Sequence, residues 1–423
     1  MRRQRSAEQQ QVAELLRTAR ESLGLPLAFL SRLDGRTQHL EVMDSPLPMV
    51  YKDGNTQDQG TSLCQAILDK KLPAVIPDLR RHPEAMELPA AKFPRHIRSY
   101  VSVPVTLSDG TLYGTFCAAG FTADRNLGKR DRNLMEVLAR AAALVIEPKV
   151  HEQARRDEIE ARLLPVIREG GPLVVLQPIV DLKTGRRVGA EALSRFPKEW
   201  GKAPDVVFAE AHSVGLGHVL ELLALERAAE HLDRVGGYVS MNASPSTLLT
   251  PECAELLGRL PGRRILLELS EHDQVDDYEA LGVALAGMRE HGMQLAIDDV
   301  GAGFSSLRHI VLTSPDVIKL DRSIVDGVAR ESVLTTLVRS LVDFAHSCGA
   351  RVVAEGVETE ADARTLLALE VDAGQGWHFG RPGPAEALEP VAEEDPDVAP
   401  VLPPVPEPRA AVDDAAVSRS PDR

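Results

Sequence analysis

From residue 171 onward, short apolar runs alternate with amphipathic helical stretches, and almost every apolar run ends on a carboxylate, an amide or a lysine. The runs fall at 173–177, 188–193, 238–242, 265–269, 294–298, 317–320, 352–355 and 376–379. Helix-like stretches fall at 219–232, 278–291, 332–347 and 360–369. Strands interleaved with helices in this way, over ~220 residues, predict an α/β barrel of the TIM-like (β/α)8 kind. In such a barrel the strand ends converge on one mouth. The residues there are Glu191, Asn242, Glu268 with Glu271 shortly after, the pair Asp298-Asp299, Lys319 and Asp321, Glu355, and Gln375 opening the last run.

Carboxylates gathered on one mouth, without arginines nearby in sequence, repel one another unless cations intervene. An all-oxygen ligand set suits Mg²⁺ or Mn²⁺ and not zinc or copper. Neighbouring side chains on a strand point to opposite faces. Asp298 and Asp299 therefore serve one site only if the strand ends between them and the loop Gly301-Ala302-Gly303. A carboxylate bridging two metals is the arrangement for in-line phosphoester displacement, one metal polarising the phosphoryl oxygen and the other helping to generate hydroxide. Lys319 is placed to hold the attacking water or to offset developing charge. Any one of these residues, taken alone, is more often a satisfied polar group or a helix cap; their recurrence at successive strand ends is the signal.

The remaining chain sets the context. The net charge of −15 divides into +4 over residues 1–150 and −19 over 151–423. An acidic, aromatic-poor region is unsuited to gripping long nucleic acid. Cys64, Cys117, Cys253 and Cys348 lie far apart, which excludes a CxxC framework. The N-terminus leads into glutamines rather than an apolar segment, and no run is long enough to span a bilayer, so a cytoplasmic protein without membrane insertion is expected. Residues 12–22 read as a helix, 27–43 as strands about Asp34-Gly35, 64–72 as a helix, 74–76 as a strand, and 100–107 with 112–116 as a hairpin about Asp109-Gly110. A helix starts at Asp131, and Pro148 should kink or end it. The proline-rich, acidic stretch 390–423 lacks apolar periodicity and reads as disordered.

The C-terminal region resembles the EAL domain, the bacterial cyclic di-GMP-specific phosphodiesterase. The resemblance rests on Leu176-Gln177-Pro178, Glu191-Ala192-Leu193-Ser194-Arg195, Ser240-Met241-Asn242, Glu268-Leu269-Ser270-Glu271, Asp298-Asp299-Val300-Gly301-Ala302-Gly303-Phe304, Lys319-Leu320-Asp321, Glu355-Gly356-Val357-Glu358, Gln375-Gly376 and Gly380-Arg381-Pro382. It implies a barrel with one antiparallel strand and conversion of cyclic di-GMP to linear pGpG with two Mg²⁺ or Mn²⁺ per site. It implies metal ligation by Glu191, Asn242, Glu268, Asp298 and Asp299, catalytic parts for Glu191, Lys319 and Glu355, and substrate contacts from Gln177, Leu193, Arg195, Asp321, Gln375 and Pro382. Glu271 matches an anchor for the loop after Asp299. Val300 and Ala302 depart from the usual Phe and Thr of that loop, which bears on activation more than on chemistry. The front region resembles an α+β GAF domain, through Gly60-Thr61-Ser62-Leu63-Cys64, Val75-Ile76-Pro77-Asp78, Val103-Pro104-Val105 and Tyr113-Gly114-Thr115. Its ligand is unknown; Cys64 and Cys117 are read as small buried core residues ahead of a ligand or haem site. The implied organisation is a GAF-like sensory and dimerisation domain at 1–147, a helical linker at 148–168, an EAL domain at 169–389 and the tail at 390–423, in a homodimer. The alternatives are a catalytically silent cyclic di-GMP receptor and a protein-interaction scaffold.

Overall fold

A computed structural model describes residues 5–46, 52–89, 96–270, 275–301 and 306–388. Glu271, Ala302 to Phe304 and the tail at 390–423 lie outside the described residues. The chain divides into two compact units, Met1–Arg155 and Arg156–Arg423.

The first unit is built on an antiparallel sheet in the order β3-β2-β1-β6-β5-β4. Its strands are β1 Leu27–Leu33, β2 Thr37–Asp44, β3 Thr56–Asp58, β4 Val75–Ile76, β5 Ser99–Thr106 and β6 Leu112–Gly120. The expected hairpin is β5–β6, paired from Ser99↔Gly120 to Thr106↔Leu112. The first helix, Ala7–Leu23, starts earlier than apolar spacing suggests, because Ser6 and Gln9 form a capping box. Cys64 and Cys117 are buried free thiols, their sulfurs 3.4 Å apart, with the Tyr100 hydroxyl 3.0 Å from Cys64 Sγ. The helix Lys129–Arg168 runs unbroken through Pro148, where an end or kink is expected. Pro148 and Leu144 are both exposed, so the Leu144 carbonyl that loses its helical donor has access to water.

The second unit is a closed eight-stranded barrel, β7-β8-β9-β10-β11-β12-β13-β14 in cyclic order. The strands are β7 Leu173–Asp181, β8 Arg187–Arg195, β9 Tyr238–Asn242, β10 Ile265–Ser270, β11 Gln294–Val300, β12 Val317–Leu320, β13 Arg351–Ala354 and β14 Ala373–Gln375. β7 is antiparallel to both neighbours, β8 and β14, and the other pairings are parallel. β7 runs four residues beyond its expected end, returning through a hairpin to β8.

Two corrections concern strand ends. The eighth strand is Ala373–Gln375 and not 376–379. The run Trp377-His378-Phe379 has the apolar look of a strand, whereas Ala-Gly-Gln carries no β-forming signal. Gly376, at φ 154°, turns the chain so closely past Val357 that a Cβ there would sit 2.2 Å from its carbonyl oxygen. Gln375 thus closes the strand instead of opening it. β11 ends, as expected, between the Asp298-Asp299 pair and the glycine loop, but two residues beyond the run at 294–298: it continues to Val300, and its register to β12 slips between Ile297 and Val300. That extra residue is a β-bulge, with Asp299 in the left-handed region at φ 60°. The bulge cancels the alternation that would have sent the two carboxylates to opposite faces.

The period of two explains how the rest of the mouth is built. A small apolar plug fills the barrel interior: Ile179, Tyr238, Leu266, Ala296, Val317, Val353 and Ala373. Two residues toward the mouth from each of Ile179, Leu266, Ala296, Val317, Val353 and Ala373 stand Gln177, Glu268, Asp298, Lys319, Glu355 and Gln375. The alternate residues, among them Leu267, Leu269, Ile297, Ile318 and Leu320, face outward into the main core between strands and helices.

Candidate active site at the barrel mouth

At the centre of the mouth lies Lys319, 1% exposed. Its ammonium is 2.6 Å from Glu355 Oε1, 2.8 Å from Glu268 Oε1, 3.1 Å from Asp298 Oδ1 and 3.6 Å from Glu191 Oε2. Four carboxylates on one buried cation leave a large excess of negative charge. Two groups of three, Glu191 with Glu268 and Asp298, and Asp298 with Asp299 and Glu355, bring ligand oxygens within 4.8 Å of one another. Asp298 is common to both groups.

Around this core the amides are ordered. Gln375 Nε2 donates to Glu191 Oε2 at 2.5 Å and to Gln177 Oε1 at 3.0 Å, while Gln177 Nε2 donates to the Gly380 carbonyl at 3.2 Å. Asn242 Nδ2 donates to Glu191 Oε1 at 3.2 Å. Ser240 donates to Glu268 Oε1, but Glu268 Oε2 is buried with no hydrogen-bond partner, as is Gln375 Oε1. A buried carboxylate oxygen without a donor is costly in a metal-free fold. It fits a hard divalent cation, as does the all-oxygen donor set.

The acid–base balance follows from burial and charge. Burial pushes Glu191 up, but Lys319 and the amides of Gln375 and Asn242 outweigh it and hold the carboxyl below its usual value. Burial raises Glu268 well above the carboxylate range; Lys319 opposes this, and Glu191, Asp298 and Glu355 reinforce it. Glu355 is pushed up to about 8 by burial, against Lys319 and with Asp298 and Glu191. Burial pulls Lys319 down, yet the four carboxylates hold it well above its ordinary value.

A pH prediction follows from these directions. Glu355 in the metal-free fold keeps its proton to about 8, whereas the unfolded chain sheds it near the ordinary value of 4.5. The metal-free fold therefore loses stability as pH rises through that window. A cation must displace the proton, so its apparent affinity grows with pH, by up to about tenfold per unit per proton released. The rise in melting temperature produced by Mn²⁺ should be larger at pH 8 than at pH 6; an equal or smaller rise at pH 8 contradicts this electrostatic picture.

Two clefts adjoin the cluster. One, of about 270 Å³, is lined by Gln177, Glu191, Leu193, Asp298, Glu355 and Gln375, and also by Arg322, Glu358 and Trp377. The other, of about 490 Å³, includes Arg195, Asn242, Glu268, Asp298 and Asp299. Asp321 and Pro382 line neither. Asp321 instead caps the helix Arg322–Val325, accepting from Ser323 N at 2.9 Å. Its neighbour Arg322 reaches the rim, pairs with Glu358 at 2.8 Å and lies 5.9 Å from the Trp377 ring, over which Arg381 stacks at 4.4 Å. Sequence reasoning quoted Glu358 in a motif without giving it a role and passed over Arg322 and Trp377, although each stands one to three residues from a residue it had singled out.

Comparison with known proteins agrees with this geometry. A family model described as EAL domain matches residues 160–382, and one described as GAF domain matches residues 6–147. Since the first match covers more than half of the chain, the protein belongs to the EAL domain family, with a GAF domain ahead of the barrel. An uncharacterized protein of Mycobacterium tuberculosis is 33% identical over 248 residues, 55% of this chain and 40% of its own length. The probable cyclic di-GMP phosphodiesterase PdeB of Escherichia coli K12 is 30% identical over 238 residues, 53% of this chain and 45% of its own. The chain thus spans less than half the length of these two relatives. Among solved structures, the manganese and cyclic di-GMP complex of Klebsiella pneumoniae BlrP1 is 30% identical, covering 50% of this chain and 56% of that one at a TM-score of 0.46. No helix among the described residues is long and apolar enough to cross a membrane.

Proposed function

We propose that the chain hydrolyses one phosphodiester of cyclic di-GMP to give linear pGpG, in a reaction dependent on Mg²⁺ or Mn²⁺. The observation that carries this reading is the buried Lys319 ammonium among Glu191, Glu268, Asp298 and Glu355, with Asn242 and Asp299 beside them. No member of the expected ligand set is replaced. The E. coli relative, a probable cyclic di-GMP phosphodiesterase, supports the choice of substrate.

In this reading Glu191, Asn242, Glu268 and Asp298 hold one cation, and Asp298 and Asp299 the second. When bound, the cations neutralise the phosphoryl oxygens and acidify a water. Lys319 Nζ directs the oxygen of the attacking water at phosphorus and offsets charge in the transition state. The water oxygen bonds to phosphorus and the P–O3′ bond breaks; the water proton passes to Glu355, ionised once a cation has displaced its proton, and O3′ takes up a proton from solvent to leave as a hydroxyl. Gln177, Leu193, Arg195 and Gln375, which line the two clefts, complete the substrate contacts, while Asp321 holds the helix that carries Arg322; Arg322 and Arg381 add positive charge at the rim.

The same proposal assigns residues 1–147 to a GAF-type regulatory and dimerisation domain, 148–168 to a linker, 169–389 to the catalytic barrel and 390–423 to a tail, in a cytoplasmic homodimer.

Charge supplies the test. Cyclic di-GMP is a dianion and the bare mouth is strongly acidic, and a like-charge encounter of this kind costs several kcal/mol. Treatment with EDTA should weaken cyclic di-GMP binding by at least about tenfold, the equivalent of 1.4 kcal/mol. Equally tight binding by chelated and Mn²⁺-loaded protein would overturn the reading.

A further inference from the structure

We infer that Glu221 is a positioning residue that holds the Asn242 limb of the metal centre in place. The inference rests on the metal-dependent reading above. Glu221 lies on the helix Gly217–Ala229 and is 7% exposed. One carboxylate oxygen, Oε2, accepts from both the Ser244 backbone N–H at 2.9 Å and the Ser244 hydroxyl at 2.8 Å. The other, Oε1, is hydrogen-bonded to His212 Nε2. Both oxygens are thus committed to structure, and neither takes part in the carboxylate cluster around Lys319.

What Glu221 grips is the backbone two residues beyond Asn242, the last residue of β9. The segment is held from both sides: Ala243 N donates to the Glu268 carbonyl at 3.1 Å, and Ser244 caps the helix Pro245–Leu248 through Thr247 N. His218, on the same helix as Glu221, bonds to Thr247 Oγ1 at 2.9 Å. The Asn242 side chain is itself exposed, and its amide donates to Glu191, so its aim is set by the backbone on which it stands. Burying a carboxylate is expensive unless its oxygens are satisfied. Here it holds two donors of one short turn with one oxygen and a histidine of another helix with the other, as an outer-layer residue does when it orients a metal ligand.

His212 extends the link outward. It belongs to the helix Pro204–Ser213, whose Val207 and Ala211 pack on Ile159 and Leu163 near the end of the helix Lys129–Arg168. Arg156 reinforces that contact by donating to the Ser213 carbonyl at 2.8 Å. Glu221 therefore ties the Asn242 turn to the layer that receives the connecting helix.

The test reads Mn²⁺ affinity of the full chain by electron paramagnetic resonance, without substrate. Glu221→Ala should weaken Mn²⁺ binding by about 10–100-fold, the range for removing an outer-layer partner of a metal ligand. Glu221→Gln, which keeps an oxygen for Ser244, should restore affinity to within a fewfold. Val207→Ala, a core change remote from the turn, should lower the melting temperature and leave Mn²⁺ affinity unchanged, which separates positioning from general destabilisation. Unaltered affinity in Glu221→Ala, equal losses in Glu221→Ala and Glu221→Gln, or an equal loss in Val207→Ala each overturn the inference. Wild-type protein that binds Mn²⁺ without cleaving cyclic di-GMP sinks the phosphodiesterase reading alone. A wild-type chain that binds no Mn²⁺ sinks both.

Discussion

Replacing Lys319 with methionine is expected to lower cyclic di-GMP turnover by about 10²–10⁴-fold, the range for removing a group that positions or transfers protons in the transition state. The same change should destabilise the metal-free barrel. Lys319 is 1% exposed and is the shared counter-ion of four carboxylates. Removing one partner of a buried ion pair costs about 3–5 kcal/mol, because the remaining charges are left uncompensated. The loss should depend on pH. Glu268 and Glu355 are already raised, and without the ammonium they take up protons more readily still. The destabilisation should therefore be smallest near pH 5 and largest near pH 8. Urea unfolding of chelated wild-type and Lys319→Met protein at the two pH values measures it. Equal stability at pH 8 would mean that the lysine does not hold the cluster together.

Glu191→Ala should abolish measurable turnover. Glu191 lies 3.6 Å from Lys319, accepts from Gln375 and Asn242, and shares a potential cation position with Glu268 and Asp298. A metal at a phosphoryl centre contributes several kcal/mol to transition-state stabilisation. Losing about 4 kcal/mol of it lowers the rate ~10³-fold. Unlike the lysine change, this one leaves the buried ammonium with three other carboxylates, so the metal-free fold should lose less stability than in Lys319→Met. Turnover within tenfold of wild type would remove Glu191 from the metal centre. Unequal stability losses in two inactive variants give the electrostatic account a signature that a general folding defect cannot imitate.

The barrel and most of its mouth were legible in the sequence because both obey a period of two. Each of the plug residues Leu266, Ala296, Val317 and Val353 is followed two residues toward the mouth by a polar one, so Glu268, Asp298, Lys319 and Glu355 could be read as strand ends without any structure. Three features escaped that pattern. The bulge that turns Asp299 to the left-handed region changes register without changing residue type, and Asp is among the residues that tolerate that conformation. β14 is a three-residue Ala-Gly-Gln strand with no propensity signal, while the more apolar Trp377-His378-Phe379 beside it is not a strand. The connection between Glu221 and Ser244 joins a helix to a strand end 23 residues away, and no local spacing announces it. Arg322 and Trp377 were passed over for a simpler reason. Asp321 stands out as the charged strand end and Trp377 reads as part of a strand at 376–379, whereas the chain turns at both points and presents Arg322 and Trp377 to the cleft.

Charge tells a similar story. The excess negative charge of the C-terminal part weighs against a grip on long nucleic acid. Gathered around one buried lysine, it becomes a requirement for cations at the mouth. The most direct measurement of that claim is the conversion of labelled cyclic di-GMP by the full chain, first stripped with EDTA and then titrated with Mn²⁺ or Mg²⁺. The account predicts no product from the stripped protein and linear pGpG as metal is added. Protein that binds cyclic di-GMP yet forms no pGpG at saturating concentrations of either metal would contradict it.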